Sequence, residues 1–228
     1  MLILTLLVSG ANAQILKSVS KLLSGGSLSE EEVVSGLKAA LEKGIEVASK
    51  DASQKDGYFG NSLIKIPFPP EAVEAEKRLR AIGLGSEVDK FVLSLNRAAE
   101  RAAKESVNVF VAGIKAMTVQ DAWGILQGEN DAATQYLKRT TSPSLKAKFK
   151  PIVSDALDEV SATKYYTDLV IAYNKILFVK KMNPDLEEYA TDQAIKGLFV
   201  LVAQEEAKIR EDPLERTSDI LKKVFGSN

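Results

Sequence analysis

Apolar residues recur at intervals of three and four along most of this chain, and a pattern of strands alternating with helices is absent. That spacing predicts helices, each with one apolar stripe to bury. Val33, Leu37, Leu41 and Ile45 mark the first stripe, with Ala40, Gly44 and Ala48 beside them. Ser29-Glu30-Glu31-Glu32 in front of it is a capping box: the hydroxyl and the third-residue carboxylate each satisfy an amide that the helix leaves unpaired. A helix from Glu71 to Ile82 follows Pro70 and stops at Gly83. The longest pattern, capped by Ser86, runs from Glu87 to about Met117. Its apolar face carries Val88, Phe91, Leu95, Ala98, Ala102, Val109 and Ile114.

Shorter patterns follow. Thr118, with Asp121 as its third-residue carboxylate, caps Val119 to Gln127. Asn130 or Asp131 caps a helix through Arg139. Ser142-Pro143 reads as a cap with proline at the first position, opening a helix to about Val160 that contains Pro151. A tyrosine-rich helix spans Thr163 to about Val179. Asn183-Pro184-Asp185 breaks the chain, and Asp185 with Glu188 forms another capping box. The helix after it, Leu186 to about Glu211, has a buried side defined by Ala190, Ala194, Ile195, Leu198, Phe199, Val202 and Ile209. Pro213 ends it, and a short helix from Thr217 to Phe225 closes the chain.

Asp51 to Pro70 interrupts this series. Asp56-Gly57 and Gly60-Asn61 are turn signals, and Pro67, Pro69 and Pro70 exclude a helix around Leu63, Ile64, Ile66 and Phe68. The expectation is an ordered loop with room for one short hairpin. A loop of about 20 residues is unusual in a compact domain. The fold class is therefore all-α: a single multi-helix domain of roughly eight helices with one long Pro/Gly-containing loop. No repeat of 20–50 residues suggests a solenoid.

The beginning of the chain reads differently. Met1 to Ser9 is a short apolar run, and Ala11-Asn12-Ala13 fits the small-x-small pattern of a signal-peptidase site, although no Lys or Arg precedes Lys17. The run is too short for a bilayer span, which takes about 20 residues. The expected organisation is a signal peptide at 1–13, a flexible segment at 14–28 ending in Ser24-Gly25-Gly26-Ser27, and a helical domain at 29–228. The expected location is outside the cytoplasm, in the periplasm, with no transmembrane span in the mature chain.

Composition narrows the chemistry. The 228 residues include no cysteine and no histidine. Disulfides, thiolate nucleophiles, iron–sulfur clusters, the usual zinc sites and a Ser-His-Asp triad are excluded. A metal site would be built from oxygen alone, for calcium or magnesium. A net charge of -1 supplies no field to steer nucleic acid, so no nucleic-acid partner is expected. No cofactor and no catalytic residue is assigned.

Each suggestive cluster has an ordinary structural explanation. Arg139-Thr140-Thr141-Ser142 would end one helix and open the next. Amides at that N-terminus, the hydroxyls, Lys138 and Arg139 could hold a phosphate or carboxylate, but plain capping accounts for the same residues. Tyr165-Tyr166, Tyr173, Trp123 and Tyr136 could line an aromatic pocket, yet aromatic residues at helical spacing usually fill a core. The carboxylates Glu205-Glu206 and Asp155-Asp158-Glu159 fit a solvated helix face better than a hydrolytic pair. Lys180-Lys181 and Lys222-Lys223 sit toward expected helix ends, where they complement the dipole.

Several segments in combination resemble a bacterial family known as domain of unknown function 4197. They are Ser94-Leu95-Asn96-Arg97-Ala98-Ala99-Glu100, Met117-Thr118 with Asp121-Ala122 and Gly124-Ile125-Leu126, and Ala133-Thr134 with Tyr136. Further on come Arg139-Thr140-Thr141-Ser142, Phe149-Lys150-Pro151-Ile152-Val153 and Ala162-Thr163-Lys164-Tyr165-Tyr166. The tail adds Glu205-Glu206, Ile209-Arg210, Pro213, Arg216-Thr217 and Leu221-Lys222-Lys223-Val224-Phe225-Gly226. The resemblance covers most of the chain after about Leu28 and implies an exported helical protein. It implies no activity and names no site.

The leading functional expectation is a non-catalytic envelope protein that binds a partner protein or a small polar ligand. Arg97, Arg101, Arg139, Thr140, Lys164 and Tyr165 are the candidate binding residues, because guanidinium, hydroxyl and phenol groups suit anions and polar ligands. Two alternatives stand beside it: a carboxylate-dependent enzyme assisted by magnesium or calcium, and a peripheral membrane protein held by Ile15 to Leu23.

Overall fold

The computed structural model describes residues 29–69, 72–159, 162–179 and 186–211. The segments 1–28 and 212–228, and with them the expected signal peptide, the amphipathic stretch and the last helix, lie outside the described residues, as does the cap expected at Asp185.

Eight helices follow one another among the described residues: α1 (Glu30–Ser53), α2 (Val73–Ala81), α3 (Gly85–Ala103), α4 (Ser106–Lys115), α5 (Val119–Leu126), α6 (Ala132–Glu159), α7 (Ala162–Asn174) and α8 (Glu187–Glu211). There is no strand among the described residues, so the domain is all-α. α8 packs on α1, α3 and α6, and α3 also touches α1, α2, α6 and α7. One continuous core results. Phe91, Leu95, Phe110, Leu137, Phe149 and Leu198 are all fully buried within it. No single helix among the described residues is long and apolar enough to cross a membrane.

Both capping boxes in the described residues form as their sequences require. The Ser29 hydroxyl accepts the Glu32 N–H at 3.2 Å while Glu32 accepts the Ser29 N–H at 2.6 Å. Thr118 and Asp121 do the same for α5. Each box lets a helix start without help from the rest of the fold.

Ser86 caps nothing, because α3 starts at Gly85 with Leu84 at its N-cap, and three larger boundaries differ from the sequence reading. The long helix expected from Glu87 to Met117 is two helices. The N–H groups of Lys104 and Glu105 bond three residues back, to Arg101 and Ala102, which tightens the chain there. The Ser106 hydroxyl donates to the Ala103 carbonyl and shares a second bond of 2.7 Å with Ser49. After this break Phe110 enters the core, whereas Val109 stays half-buried.

The second difference is α6. The break expected between Arg139 and Ser142 does not exist, and the helix runs through both Pro143 and Pro151. The hydroxyls of Thr140, Thr141 and Ser142 donate to the carbonyls of Tyr136, Leu137 and Lys138, four residues back. They serve the preceding turn and cap nothing. Tertiary packing overrides the local signal here: Leu137, Thr141, Leu145, Phe149 and Val153 form one buried ridge. Thirdly, the tyrosine-rich helix ends at Asn174 instead of Val179. Phe178 then adopts a left-handed backbone with φ of 64°.

The loop between α1 and α2 is a chain of turns, without the hairpin. Gly57 bonds back to Gln54, Gly60 to Asp56, and both Ile64 and Lys65 to Asn61. Four of its apolar side chains enter the core: Tyr58, Ile64, Ile66 and Phe68 are buried, while Leu63 is exposed. α3 supplies the missing backbone partners. The Asn96 amide accepts the Ile66 N–H at 2.8 Å and donates to the Ile66 carbonyl at 2.8 Å. Glu100, itself buried, accepts the N–H groups of Tyr58 and Phe59 at 3.2 Å each. Arg97 bridges Glu100 and Asp56, both at 2.7 Å. The Tyr58 hydroxyl donates to the Ala194 carbonyl at 2.6 Å, and its ring lies where a β-carbon on Gly197 would come within 2.7 Å. Only glycine permits that approach between loop and α8.

Candidate functional site

α4 and α6 diverge from a tight contact to leave an open cleft of about 800 Å³. At its base the helices nearly touch, since a β-carbon on Gly113 would meet the Thr141 methyl at 2.4 Å. One wall is the outward side of α4, where Val109, Ala112, Gly113 and Ala116 repeat at three- and four-residue spacing. Short side chains here leave this wall apolar. Asn108 sits at the edge of this wall.

The other wall comes from α6 and is polar. It presents Tyr136, Arg139, Thr140, Ser144 and Lys148, with Ala147 between them. Tyr136 is buried, and its hydroxyl donates to the Gly113 carbonyl at 3.2 Å, pinning one wall to the other. The Arg139 guanidinium lies 5.6 Å from the centre of the Tyr136 ring, at cation–π distance. No carboxylate among the described residues forms an ion pair with Arg139. Asp121 of α5 also lines the cleft but is held by its own capping box.

Electrostatics follow from this geometry. The hydroxyl and amide of Thr118 hold the Asp121 carboxyl below the usual carboxylate range, and the charge of Arg139 adds to the effect. Burial raises the Tyr136 phenol above its ordinary value, with the Asp121 charge acting in the same sense. At neutral pH the cleft holds a neutral phenol, a bound carboxylate, and two cations, Arg139 and Lys148.

The six residues singled out from sequence do not converge. Arg139 and Thr140 share the cleft, the Thr140 hydroxyl being turned to the Tyr136 carbonyl. The helix N-terminus that gave them their anion-binding rationale is absent, because α6 is continuous. Arg97 is taken up by Asp56 and Glu100, and Arg101 pairs with Glu159. Lys164 is exposed on α7, and Tyr165 is half-buried against the core. Of the other aromatics, Tyr166 and Tyr173 are core, and the Trp123 indole donates to Glu30 at 3.1 Å. Asn108, the small-residue face of α4, Ser144 and Lys148 were not anticipated. The spacing of Val109, Ala112, Gly113 and Ala116 was the available signal, hidden by placing Val109 in the core.

Glu206 corrects another expectation. It is no solvated acid: only 4 % exposed, it accepts the N–H groups of Ala133 and Thr134 at the start of α6 and pairs with Arg210 at 2.8 Å. It performs the capping expected of Asn130 or Asp131. The Asp131 carboxylate instead accepts the Gln135 side-chain amide.

A second cleft, of about 590 Å³, lies between the α1–α2 loop and the α2–α3 pair. Of its two cations, Arg80 is already bridged to Glu76 and Asp89, and Lys65 lies over the Phe59 ring, 4.0 Å from its centre.

Residues 27–226 match the model of the family described as Protein of unknown function (DUF4197). The chain belongs to this family. No curated protein and no solved structure matches it. The segments quoted above as resembling the DUF4197 family acquire a physical meaning here. Within Ser94 to Glu100, the side chains of Asn96, Arg97 and Glu100 fasten the loop, so in this DUF4197 chain the segment is architectural.

Proposed function

We propose that this protein is a non-catalytic binding protein and that the α4–α6 cleft takes a small ligand with an apolar body and an anionic end. The observation that carries this reading is Arg139: a guanidinium in no ion pair among the described residues, set over an aromatic ring in a cleft with one apolar wall, while the nearby Asp121 carboxylate is held by Thr118. Pockets of this size with few, convergent polar groups suit small ligands. Lys148 adds positive charge on the same wall. Four of the five clustered carboxylates have other duties: Glu206 caps α6, Glu159 pairs with Arg101, Glu205 pairs with Lys208, and Asp158 accepts from the Thr163 hydroxyl.

The test uses 1-anilinonaphthalene-8-sulfonate as the probe, whose naphthyl body and sulfonate reproduce the proposed ligand chemistry. Saturable binding near one equivalent is expected, with Arg139→Ala weakening it at least about tenfold, the loss of a charge-assisted contact, at an unchanged melting temperature. Equal binding by the variant, or a melting temperature several degrees lower with binding intact, would mean that Arg139 is structural and would overturn the reading.

We further infer that the chain acts outside the cytoplasm. Support comes from Met1 to Ala13, with its apolar run and small-x-small end, and from the absence of thiols that an oxidising compartment would attack. The mass of the protein recovered from its host decides this: a chain beginning at Gln14 supports export, and an intact Met1 chain in the cytosolic fraction refutes it.

A further inference from the structure

α6 carries its charge unevenly. Between Asp131 and Asp155 it holds five cations, Lys138, Arg139, Lys146, Lys148 and Lys150, and no acid. Helix α8 neutralises two of them: Lys146 reaches Glu188 at 2.9 Å and Asp192 at 3.0 Å, and Lys150 lies 3.9 Å from Glu187. Arg139 and Lys148 form no ion pair among the described residues, and both line the α4–α6 cleft.

These two cations stand at opposite ends of one polar stripe. Tyr136, Thr140, Ser144 and Lys148 recur every four residues along α6, which puts them on one side of the helix. Arg139 lies over the Tyr136 ring at the head of the stripe. Lys148 follows Arg139 by nine residues of continuous helix, about 13.5 Å of axial rise at 1.5 Å per residue. Facing the stripe is the apolar wall of α4. A ligand with one anionic end would answer one cation and leave the other unused.

We propose that the ligand of this cleft is a long dicarboxylate, with one carboxylate on Arg139, its methylene chain along the apolar wall of α4, and the second carboxylate on Lys148. This rests on the cleft reading given above and adds to it a second charge and a length. A guanidinium matches a carboxylate with two parallel N–H bonds, and lysine acts as a point charge whose flexible stem adjusts to the far end. The methylene chain leaves water where it lies on apolar side chains. A carboxylate also suits the Arg139 end better than a phosphate dianion does. Asp121 lines the cleft within electrostatic reach of Arg139, and Thr118 holds it as an anion. Its repulsion of a doubly charged group is about twice that of a singly charged one.

The experiment is isothermal titration calorimetry of the full chain at low salt. The probes are decanedioate, whose extended length is close to the Arg139–Lys148 span, decanoate, butanedioate and 1-anilinonaphthalene-8-sulfonate. Decanedioate should bind at least about tenfold more tightly than decanoate or butanedioate. Lys148→Gln, at an exposed position, should bring decanedioate down to the level of decanoate and leave decanoate unchanged. Arg139→Ala should weaken both. Decanoate binding as tightly as decanedioate would overturn the dicarboxylate, and so would a Lys148→Gln variant that binds decanedioate as the native chain does. The cleft reading would survive either result if the sulfonate still bound through Arg139. Butanedioate binding as tightly as decanedioate would overturn the proposed span, and the dicarboxylate with it. No binding by any probe, the sulfonate included, would remove the cleft reading and this inference together.

Discussion

Glu206, on the last turns of α8, caps a helix that starts far behind it in sequence: its carboxylate accepts the N–H of Thr134 at 2.7 Å, 72 residues away. The same carboxylate accepts from the Thr134 hydroxyl and from Arg210, whose guanidinium reaches on to the Ile125 carbonyl at 2.9 Å. One buried acid thus joins the end of α5, the start of α6 and the body of α8.

Replacing Glu206 leaves two helix amides and the Thr134 hydroxyl without this acceptor and removes the buried carboxylate that pairs with Arg210. Glu206→Ala should destabilise the fold by about 3–5 kcal/mol, the usual result of removing one partner of a buried pair. Glu206→Gln, which preserves shape but offers one acceptor, should also be destabilising, though less. Urea unfolding followed by circular dichroism measures both, and a loss below about 1 kcal/mol for the alanine variant would contradict the capping role.

Two helical glycines should respond in opposite directions. Gly197→Ala drives a methyl group into the Tyr58 ring and should cost about 1–3 kcal/mol, as overpacking does. Gly124, inside α5, has nothing within 4 Å of an added β-carbon. Gly124→Ala should therefore stabilise by about 0.5–1 kcal/mol through helix propensity. Thermal melts of the pair provide the comparison.

Tyr58 predicts an alkaline weakness. Complete burial, reinforced by the Glu100 charge, holds its phenol well above its ordinary value. The unfolded chain ionises this tyrosine first. Stability linked to the proton is therefore whole below about pH 10, the unfolded value, and falls above it. Tyr58→Phe should lose about 1 kcal/mol at neutral pH with its hydrogen bond to Ala194, and should lose less than the native chain between pH 9 and pH 11.

The α5 capping box predicts the reverse dependence. Asp121 is held below the usual range in the folded chain, so its contribution is present above about pH 4 and disappears as pH falls through the lowered folded value. Thr118→Ala should cost about 1 kcal/mol at pH 7, and the difference from the native chain should narrow in acid. A difference that is constant with pH would separate the hydroxyl from the carboxylate.

The helices and their capping boxes were legible because they are written locally. Ser29 with Glu32, and Thr118 with Asp121, need only neighbours three residues apart. What misled was also local. Ser142-Pro143 looks like a helix start, and only the four-residue recurrence of Leu137, Thr141, Leu145, Phe149 and Val153 shows that the chain continues. The family match over residues 27–226 agrees with the resemblance read from the chain, yet it could not place Glu206. Membership does not reveal that Glu206 meets Thr134, or that Asn96 meets Ile66, because both contacts are long in sequence. Of the candidate site, Arg139 and Thr140 were visible as chemistry. The cleft around them depends on how α4 rotates after the break at Lys104 and Glu105.

The loop between α1 and α2 has one further consequence, for amide hydrogen exchange. Loops normally exchange by small openings, whereas the amides of Tyr58, Phe59 and Ile66 are held by side chains buried in α3. Water can reach them only when Glu100 and Asn96 are uncovered, and that requires α3 to separate from the core. This irregular stretch should then exchange at the rate of global unfolding, placing it in the slowest cooperative unit of the protein, where regular helices are normally found.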